Sequence, residues 1–591
     1  MQVIILLPAF NITDMKKTLI LFLFLIAKIT LSQTPVYYNN YPILLDQDRR
    51  PFQKAGIPLI TDIDRNGQKE IVFVALDYEG SANPPLYLYV LNNDGTNFAN
   101  FPKGYNELIH DVASGDVNGD GFMEIVLRMA FSFDVIDRFG NSLPGFPVSY
   151  SDGDINPRKF ISLYDLDLNG KLEIIVSKTN EVTVYNHDGS LRAGWPNYIS
   201  GSANYNPAIG DINGDGYGEL IFTSFKFVNQ VVDSGTVHIF KHDGEIYSNN
   251  FPLFFDSLYY SWSSSPSLFI HPNDPSLSFF TVVLDKFTGQ GSELHKFLKL
   301  DFQANELCTE NYSASMDYGT LVMGDINRNG DLEFATGTQY GTTFSAFDKS
   351  LNRFIGWPNY GQGEHWATGM IGKLTLGNNL NVVTNTWHTF NPNGYGYIYA
   401  YTPEGVNLPW SPLRPEGLVN GVSFADLNND GSVELIATSS RGIGRQAFLH
   451  VWTIPGIPFS HADFPWPQYG HDRYRTNQHG FIPPDEPVGI QPMNTNVPSA
   501  FKLYQNFPNP FNPATSIKFD ITKKGNVKLV VFDMLGRELS TLINEILSPG
   551  TYQVNFDARL HGQGSGLSSG IYLCRLQSED YAYTMKMNLI K

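Results

Sequence analysis

The sequence predicts an all-β chain assembled from repeats, and three observations support this prediction. At 591 residues the chain is longer than one ordinary hydrophobic core can organise. Charged residues make up only 17% and aromatic residues 14%, while 53 glycines and 36 prolines favour a turn-rich sheet protein over a helical one. A ten-residue phrase of Asp, Asn, Gly and Glu recurs along most of the chain, which indicates a repeat architecture.

The first 32 residues have the features of a targeting segment. Lys16 and Lys17 precede an apolar run from Leu19 to Ala27, and small residues follow up to Ser32. This pattern predicts a signal peptide over residues 1–32, with Met15 as an alternative start and Gln33 as the first mature residue. No later segment approaches the roughly 20 apolar residues that a membrane-spanning helix needs.

Net charge and cysteine content exclude two further classes of protein. The net charge of -18 at pH 7 is opposite in sign to the basic surface that nucleic acid binding requires, so we expect no nucleic acid partner. The chain has 2 cysteines, Cys308 and Cys574, far apart in the sequence. A secreted protein with this content does not depend on a disulfide framework for its stability.

The recurring phrase has the form D-apolar-[DN]-x-[DN]-G-x-x-E-apolar. Its six copies are "DIDRNGQKEI", "DVNGDGFMEI", "DLDLNGKLEI", "DINGDGYGEL", "DINRNGDLEF" and "DLNNDGSVEL", which start at Asp62, Asp116, Asp165, Asp211, Asp325 and Asp426. Positions one, three and five offer side-chain oxygens to one point, and Gly at position six permits the loop to fold back. A backbone carbonyl at position seven and the Glu at position nine complete an oxygen shell suited to a hard cation, and Ca²⁺ fits it best.

Two other interpretations of the phrase are an EF-hand and a plain Asp-Asn-Gly turn. An EF-hand needs a bidentate Glu at position twelve and flanking helices. Position twelve is occupied by Phe73, Leu127, Val176, Phe222, Thr336 and Ala437, and the flanking runs, such as "EIVFVA", are strand-like, so the EF-hand is excluded. A plain Asp-Asn-Gly turn explains one isolated copy, but it does not explain six copies with the same ninth residue.

The spacing of the copies predicts the architecture of residues 33–480. The first four copies begin about 50 residues apart, and the two later gaps are about twice as long. Strand-turn-strand patterns without the acidic set, at about residues 265–285 and 366–386, fill these gaps as two ion-free units. Units of this length with several short strands predict a β-propeller of seven or eight blades, with eight preferred, and "WPQYGHDRYRTN" as its last strand and exit.

The remaining residues predict a second, smaller domain. Residues 481–500 are rich in proline and have no apolar periodicity, which predicts a linker. Strand-like runs such as "SIKFDI", "VKLVVFDM" and "GIYLCRLQ" then alternate with turn residues over residues 501–591. This pattern predicts a small Ig-like β-sandwich.

The repeated loops resemble the FG-GAP, or VCBS-type, repeat family of β-propellers, over roughly residues 35–478. The resemblance implies Ca²⁺ as the cofactor, held between the first two strands of a blade, and it assigns one ligand set to each loop. The Asp325 loop has the fewest carboxylates, so we expect the weakest ion binding there. The implied ligands are Asp62, Asp64, Asn66 and Glu70; Asp116, Asn118, Asp120 and Glu124; Asp165, Asp167, Asn169 and Glu173; Asp211, Asn213, Asp215 and Glu219; Asp325, Asn327, Asn329 and Glu333; and Asp426, Asn428, Asp430 and Glu434.

The tail resembles the type A C-terminal sorting domain of the type IX secretion system. The matching phrases are "YQNFPNPFNPATSIKF", "VFDMLGRE", "LSSGIYLCRL" and "KMNLIK", in this order. The resemblance implies a secreted or outer-membrane-surface location in a Gram-negative bacterium, and the type IX secretion machinery as a partner.

Few residues outside the loops are candidates for chemistry. Glu364 and His365 are adjacent, and Trp366 and Trp387 are candidate ligand contacts because a Trp ring can stack on a sugar. The pair His471 and Asp472 is a possible acid-base pair, although a packing role at the closure of the ring is favoured. The recurring Trp195 and Trp357 are expected to be structural.

Two function classes follow. The favoured one is a non-catalytic adhesion or ligand-binding module for an extracellular polysaccharide or protein. The alternative is a polysaccharide lyase or glycoside hydrolase on a propeller scaffold, which requires a pocket with convergent acids and bases away from the loops. The sequence identifies no nucleophile elbow or zinc-type histidine cluster, so we assign no catalytic residue.

Overall fold

β-strands supply nearly all of the regular structure in the computed structural model of this protein. The structure describes residues 34–590 except 48, 52–55, 78–84, 151–159, 204, 229–230, 256–258, 261–263, 273, 288–292, 315–318, 339–341, 362–363, 366–368, 388–394, 442–445, 485–490, 495–497, 499, 513, 524, 548, 559–566 and 579–580. The predicted signal peptide therefore lies outside the described residues. Among the described residues, no helix has both the length and the apolar character needed to span a membrane.

The strands of residues 36–458 follow one another in antiparallel sheet units. The chain starts with β1 (Val36–Tyr37) and β2 (Ile43–Gln47), which belong to the last unit. Unit 1 contains β3 (Arg49–Pro51), β4 (Leu59–Thr61), β5 (Glu70–Asp77), β6 (Leu86–Leu91) and β7 (Lys103–Tyr105). Unit 2 contains β8 (Ile109–Gly115), β9 (Glu124–Met129), β10 (Ser132–Ile136) and β11 (Val148–Ser149).

Units 3 and 4 join in one sheet, in which Ser202 of unit 3 pairs with Phe225 of unit 4. Unit 3 contains β12 (Ile161–Tyr164), β13 (Glu173–Tyr185) and β14 (Asn197–Ser202). Unit 4 contains β15 (Ala208–Gly210), β16 (Glu219–Val228), β17 (Val231–Phe240) and β18 (Leu253–Phe255). Unit 5 contains β19 (Tyr259–Tyr260), β20 (Ser267–Phe269), a 3-10 turn at Pro275–Leu277, β21 (Phe279–Phe287), β22 (Glu293–Leu300) and β23 (Glu306–Ala314).

The last units close the series on its beginning. Unit 6 contains β24 (Val322–Gly324), β25 (Glu333–Gly337), β26 (Thr343–Phe347) and β27 (Asn359–Tyr360). Unit 7 contains β28 (Glu364–His365), β29 (Met370–Gly372), β30 (Asn381–Trp387) and β31 (Tyr397–Tyr401). Unit 8 contains β32 (Leu418–Ala425), β33 (Ser432–Arg441) and β34 (Gln446–Pro458), and both β1 and β2 pair with β34.

Neighbouring units bury their apolar faces against each other. Side chains on alternate positions of one sheet pack on those of the next sheet, as the two-residue period of a strand requires. Leu59 and Val72 of unit 1 belong to the same buried cluster as Ile109 of unit 2. Ile71 of unit 1 belongs to a second cluster that includes Ile436 of unit 8. Unit 1 therefore packs against the units on both sides of it, one of which is the last in the sequence.

Residues 464–481, which we call the inner segment, run past one strand of each unit, namely β24, β29, β32, β4, β8, β12, β15 and β20. Gly324 of unit 6 lies against Pro465, since a Cβ there would lie 2.9 Å from Pro465 Cγ. The Ile60 N–H of unit 1 donates to Gln468 Oε1 at 3.5 Å. Carbonyls of the inner segment accept the other N–H groups in the unit order 7, 8, 2, 3, 4 and 5: Ile371 to Trp466, Phe424 to Pro467, Ser114 to Arg473, Leu163 to Tyr474, Ile209 to Thr476 and Leu268 to Asn477.

The inner segment corrects one expectation from the sequence. The phrase "WPQYGHDRYRTN" is not a strand of the last sheet, because β1 and β2 take the edge positions there. The only regular strand of the inner segment is β35 (Gln478–His479), which pairs in parallel with β20. The inner segment contains many polar residues and shows no apolar alternation in the sequence. Arg475 and Trp466 of this segment are nevertheless almost fully buried.

The C-terminal residues form two four-stranded sheets around a common core. One sheet has the order β36 (Gln491–Asn494), β41 (Gly550–Asp557), β38 (Ala514–Ile521) and β37 (Lys502–Leu503). The other has the order β40 (Glu538–Leu547), β39 (Gly525–Phe532), β42 (Gly570–Ser578) and β43 (Tyr581–Leu589). Strand β36 lies within the segment predicted as a linker, and it pairs with β41 of the tail.

Candidate metal centres

The six acidic loops share one backbone geometry. Each loop connects the strand that contacts the inner segment to the next strand of its unit, and its Gly at position six has a positive φ, as at Gly121 (+96°) and Gly431 (+84°). The N–H of this Gly donates to the Asp at position one, for example from Gly121 to Asp116 Oδ2 at 2.9 Å. The apolar residue at position two is buried in every loop. The oxygen-bearing side chains are thus held on one side of a closed turn.

Position four of the loop also has a left-handed conformation, which the sequence did not predict. Glycine occupies this position in two loops, at Gly119 and Gly214, but the others have Arg65, Leu168, Arg328 and Asn429, with φ between 55° and 59°. Non-glycine residues pay a steric cost in this region. The hydrogen bonds of the loop impose this conformation, so the residue types found at position four do not predict it consistently.

One hydrogen bond closes the corresponding loop in all eight units. The backbone N–H of position two donates to the side chain seven residues later, for example from Ile63 to Glu70 Oε2 at 2.8 Å. The other pairs are Val117 with Glu124, Leu166 with Glu173, Ile212 with Glu219, His271 with Ser278, Ile326 with Glu333, Leu374 with Asn381, and Leu427 with Glu434. Ser278 and Asn381 stand where the six acidic loops have Glu. Closing the turn therefore does not require a carboxylate.

The glutamates at position nine are buried, and their charge is costly without a cation. Burial, together with neighbouring carboxylates, raises the pKa of Glu70, Glu124, Glu173, Glu219 and Glu434 to about 8. Burial also raises the pKa of Glu333. Six loops thus keep an acid in a place where a neutral side chain makes the same hydrogen bond. A bound cation would stabilise that charge.

The residue at position three divides the loops into two kinds. Where it is Asp, three carboxylates converge: Asp62, Asp64 and Glu70 have oxygens within 4.8 Å of one another, and so do Asp165, Asp167 and Glu173. These two clusters can hold a metal ion.

Where position three is Asn, its amide contacts the acids instead. Asn213 Nδ2 donates to Glu219 Oε1 at 2.9 Å, and Asn118 and Asn327 make the same contact at 3.3 Å and 3.1 Å. Asn428 Nδ2 donates to Asp430 at 2.9 Å. Rotating such an amide by half a turn presents its oxygen to the same point, so these loops also fit a hard cation.

The structure brings some of the other candidate residues together. Strand β28 pairs with β30, so the backbone of Glu364 lies opposite Trp387 and that of His365 opposite Thr386. Trp366 lies outside the described residues. His471 Nδ1 lies 3.0 Å from Asp472 Oδ2, but both residues are about 95% buried within the inner segment, which fits the packing role. Trp195 and Trp357 are buried in cores, as expected for structural residues.

A cavity of about 320 Å³ lies beside the Asp325 loop. Arg328, Phe464, His471, His479 and Phe481 are among its lining residues. Burial, with His471 nearby, lowers the pKa of His479 to about 3, so this imidazole stays neutral at physiological pH. The cavity was not identifiable from the sequence, because its walls come from units 6 and 7 and from the inner segment.

Two family models match parts of the chain. A model of FG-GAP-like repeats matches residues 62–127 and 165–222, which contain four of the six loops. A model of a secretion system C-terminal sorting domain matches residues 505–591. The chain therefore carries FG-GAP-like repeats of the β-propeller type and a type IX C-terminal sorting domain. That domain indicates export to the cell surface or extracellular space of a Gram-negative bacterium, and it implies interaction with the secretion machinery.

Several solved structures show a weak similarity to the chain. The biofilm matrix protein Bap1 of V. cholerae is 12% identical, with 74% of this chain and 94% of that chain covered and a TM-score of 0.40. The exotype rhamnogalacturonan lyase YesX is 12% identical, with 68% and 90% covered and a TM-score of 0.34. The WD40 domain of Toxoplasma gondii coronin is 11% identical, with 76% and 95% covered and a TM-score of 0.34. Such scores support no argument about function. A comparison with curated proteins found no match.

Proposed function

We propose that this protein is a calcium-stabilised propeller of the cell surface or extracellular space that binds an extracellular polymer without cleaving it. One observation carries the calcium assignment. Eight loops are closed by the same hydrogen bond, and six of them use a buried Glu where Ser278 and Asn381 accept that bond in the other two. The surplus charge has no role in closing the turn. Binding of Ca²⁺ by the oxygen set around it gives that charge a function.

We further propose that units 1–8 are the eight blades of a closed ring over residues 33–480. Two observations support eight over seven. The strands β1 and β2 complete the sheet of unit 8, and the inner segment contacts the units in the cyclic order 6, 7, 8, 1, 2, 3, 4 and 5. A chain winding once around the axis of a ring of eight gives this order.

A titration of the metal-free mature chain, residues 33–591, tests the calcium assignment. Extracellular sites of this type have dissociation constants of about 0.1–1 mM. At roughly 2 mM free Ca²⁺, each occupied site then adds about 0.5–2 kcal/mol to the free energy of unfolding. We expect the melting temperature to rise with Ca²⁺ and to fall again with EDTA. A melting curve that does not respond to Ca²⁺ would remove the assignment.

The polymer-binding edge is proposed where β28 and β30 pair. This edge belongs to unit 7, whose loop lacks the acidic set, and it carries Glu364, His365 and Trp387, with Trp366 following in the sequence. Loops on a rigid scaffold are where binding residues concentrate. Tryptophan favours a polysaccharide as the ligand, because its ring stacks on the apolar face of a sugar.

Retention on a panel of plant, algal and microbial polysaccharides tests this proposal. We expect the mature chain to be retained by at least one polymer without releasing reducing or unsaturated ends. Trp366→Ala or Trp387→Ala should weaken retention, whereas Tyr198→Ala should not, although Tyr198 is 79% exposed on unit 3. Product release that is lost in His365→Ala or His479→Ala would instead establish the alternative, a polysaccharide lyase or hydrolase.

The tail is proposed as a separate β-sandwich over residues 501–591. Among the described residues, the core that its two sheets share contains no residue of units 1–8, and β36 from the preceding segment adds an edge strand to one sheet. Deleting residues 501–591 should therefore leave a folded propeller in the periplasm, because the export signal is lost and the propeller core is intact. Continued delivery to the cell surface after the deletion would contradict the proposed role of the tail.

A further inference from the structure

Arg192 reaches into the acidic cluster of the Asp165 loop. Its Nη1 atom lies 3.1 Å from Asp167 Oδ2 and 3.5 Å from Glu173 Oε1. The Arg192 side chain is only 12% exposed, and Glu173 is fully buried. A guanidinium keeps its positive charge in such surroundings, because its pKa lies far above neutral. The loop thus already contains a cation bound to two of its acids.

The same position in other units is apolar or aromatic. Arg192 lies between β13 and β14 of unit 3, where its backbone N–H donates to the Val184 carbonyl of β13 at 3.0 Å. The equivalent backbone hydrogen bond, to the carbonyl eight residues earlier, is made by Phe98 in unit 1, Leu143 in unit 2, Tyr247 in unit 4, Phe354 in unit 6 and Leu408 in unit 7. Among these described equivalents, unit 3 is the one that places a basic side chain against its loop.

A guanidinium and a calcium ion cannot share these oxygens. Calcium requires six to eight oxygens at about 2.3–2.6 Å, so an ion here would need the same oxygens of Asp167 and Glu173 that Arg192 contacts. The Arg192 Nη1 atom lies within ion-pair distance of both carboxylates. The positive charge there also opposes a divalent ion through Coulomb repulsion.

We propose that Arg192 is the built-in cation of the Asp165 loop, and that this loop takes up no Ca²⁺ under conditions that fill the other loops. The difference in Ca²⁺ uptake between this loop and the others rests on the calcium function proposed above. It departs from the ligand set expected from the sequence for Asp165, Asp167, Asn169 and Glu173. The loop of unit 3 is then closed in the same way as the calcium-binding loops, but Arg192 takes the place of the Ca²⁺ ion.

Counting the ions bound to the full mature chain tests the proposal. Arg192→Leu copies the residue of units 2 and 7, and it should bind one more Ca²⁺ than the natural sequence in equilibrium dialysis with metal analysis. Glu173→Gln in the natural sequence should leave the number of bound ions unchanged. Leu143→Arg is the matched reciprocal variant, and it should lose one ion from the Asp116 loop.

Thermal unfolding supplies a second readout. Arg192→Leu removes the positive charge beside Asp167 and Glu173, so its melting temperature should fall in the metal-free protein and recover more with Ca²⁺ than that of the natural sequence. Loss of one ion in Glu173→Gln would overturn the proposal, as would an unchanged ion count in Arg192→Leu. If the natural sequence binds no ion but Arg192→Leu binds one, the calcium function fails while the role of Arg192 stands.

Discussion

The residue at position nine accepts the hydrogen bond that closes the loop, but only a glutamate there also supplies a charge that can bind an ion. Ser278, Asn381 and the six glutamates all accept the same backbone N–H, so the hydrogen bond tolerates a neutral side chain. The glutamates add a buried charge, which burial and adjacent acids penalise in the absence of a cation. A neutral replacement should therefore have opposite effects with and without Ca²⁺.

Glu70→Gln is the substitution that tests this reversal. The amide oxygen can still accept the Ile63 N–H, and the amide nitrogen can donate to Asp62 or Asp64, as asparagines do in other loops. We expect the metal-free variant to be as stable as the natural sequence or more stable. In Ca²⁺ it should be less stable, because losing a ligand charge weakens ion binding tenfold or more, about 1.4 kcal/mol or above. Equal destabilisation in both conditions would show that Glu70 is only structural.

The glycine at position six is a residue whose conformation the sequence predicted correctly. Gly121 has a φ of +96°, and a Cβ built there meets nothing within 4 Å. The cost of Gly121→Ala is thus purely conformational, and we expect a loss of about 1–2 kcal/mol in the free energy of unfolding by denaturant titration. Gly377→Ala, in the ion-free loop of unit 7, is the matched control with ordinary contacts and should change stability little. Equal losses at both sites would argue against this explanation.

At the scale of the loop element, each acidic cluster links stability to pH. The pKa of Glu70, Glu124, Glu219 and Glu434 is raised to about 8 in the folded protein, against about 4.3 in an unfolded chain. Between these two values the folded state binds more protons than the unfolded state. The stability of the metal-free protein therefore falls as pH rises through this window.

We accordingly expect the metal-free protein to melt at a lower temperature at pH 8 than at pH 5.5. Added Ca²⁺ should raise the melting temperature more at pH 8, because the carboxylates are then free of the competing protons. Scanning calorimetry at matched ionic strength measures both effects. A melting temperature that rises with pH in the metal-free protein would contradict this assignment of buried acids.

Some strands and contacts could be predicted from the sequence, and others could not. The strands beside each loop have β-branched and aromatic runs, so β5, β9, β13 and β16 could be located from sequence alone. Strand β36 could not, since it is four residues long, contains Pro492 and forms only by pairing with β41 across about 60 residues. Arg192 was missed for a related reason. Its partners, Asp167 and Glu173, belong to a different part of unit 3 and are adjacent only after folding.

At the scale of the whole molecule, the ends of the repeat region carry the long-range contacts. Strands β1 and β2 complete the sheet of β34, which lies about 400 residues later in the sequence. The inner segment then contacts one strand in each of units 6, 7, 8, 1, 2, 3, 4 and 5. The repeat spacing predicted a series of similar strand-rich units, but it could not predict this segment, whose buried Arg475, Thr476 and Asn477 have no apolar pattern.

The inner segment should therefore decide where a stable propeller can be truncated. Residues 33–481 retain it, whereas residues 33–463 lose the fully buried Trp466, Tyr474 and Arg475 together with the hydrogen bonds to seven units. We expect the longer fragment to unfold in one cooperative transition. The shorter one should unfold at a much lower temperature or fail to fold, because its inner strands lose both their packing and their partners.

Trp466→Ala in the full mature chain provides a test that does not depend on the shorter fragment folding. Removing a buried aromatic side chain costs about 3–5 kcal/mol, and the Ile371 N–H can still donate to the backbone carbonyl of residue 466. The loss should therefore report packing at the centre and leave the outer sheets of the units in place. Calorimetry of the variant and of both fragments should rank the natural chain first and residues 33–463 last. If residues 33–463 melted at the same temperature as residues 33–481, the centre of the ring would contribute nothing to its closure, and the units would have to be held together by their shared apolar faces alone.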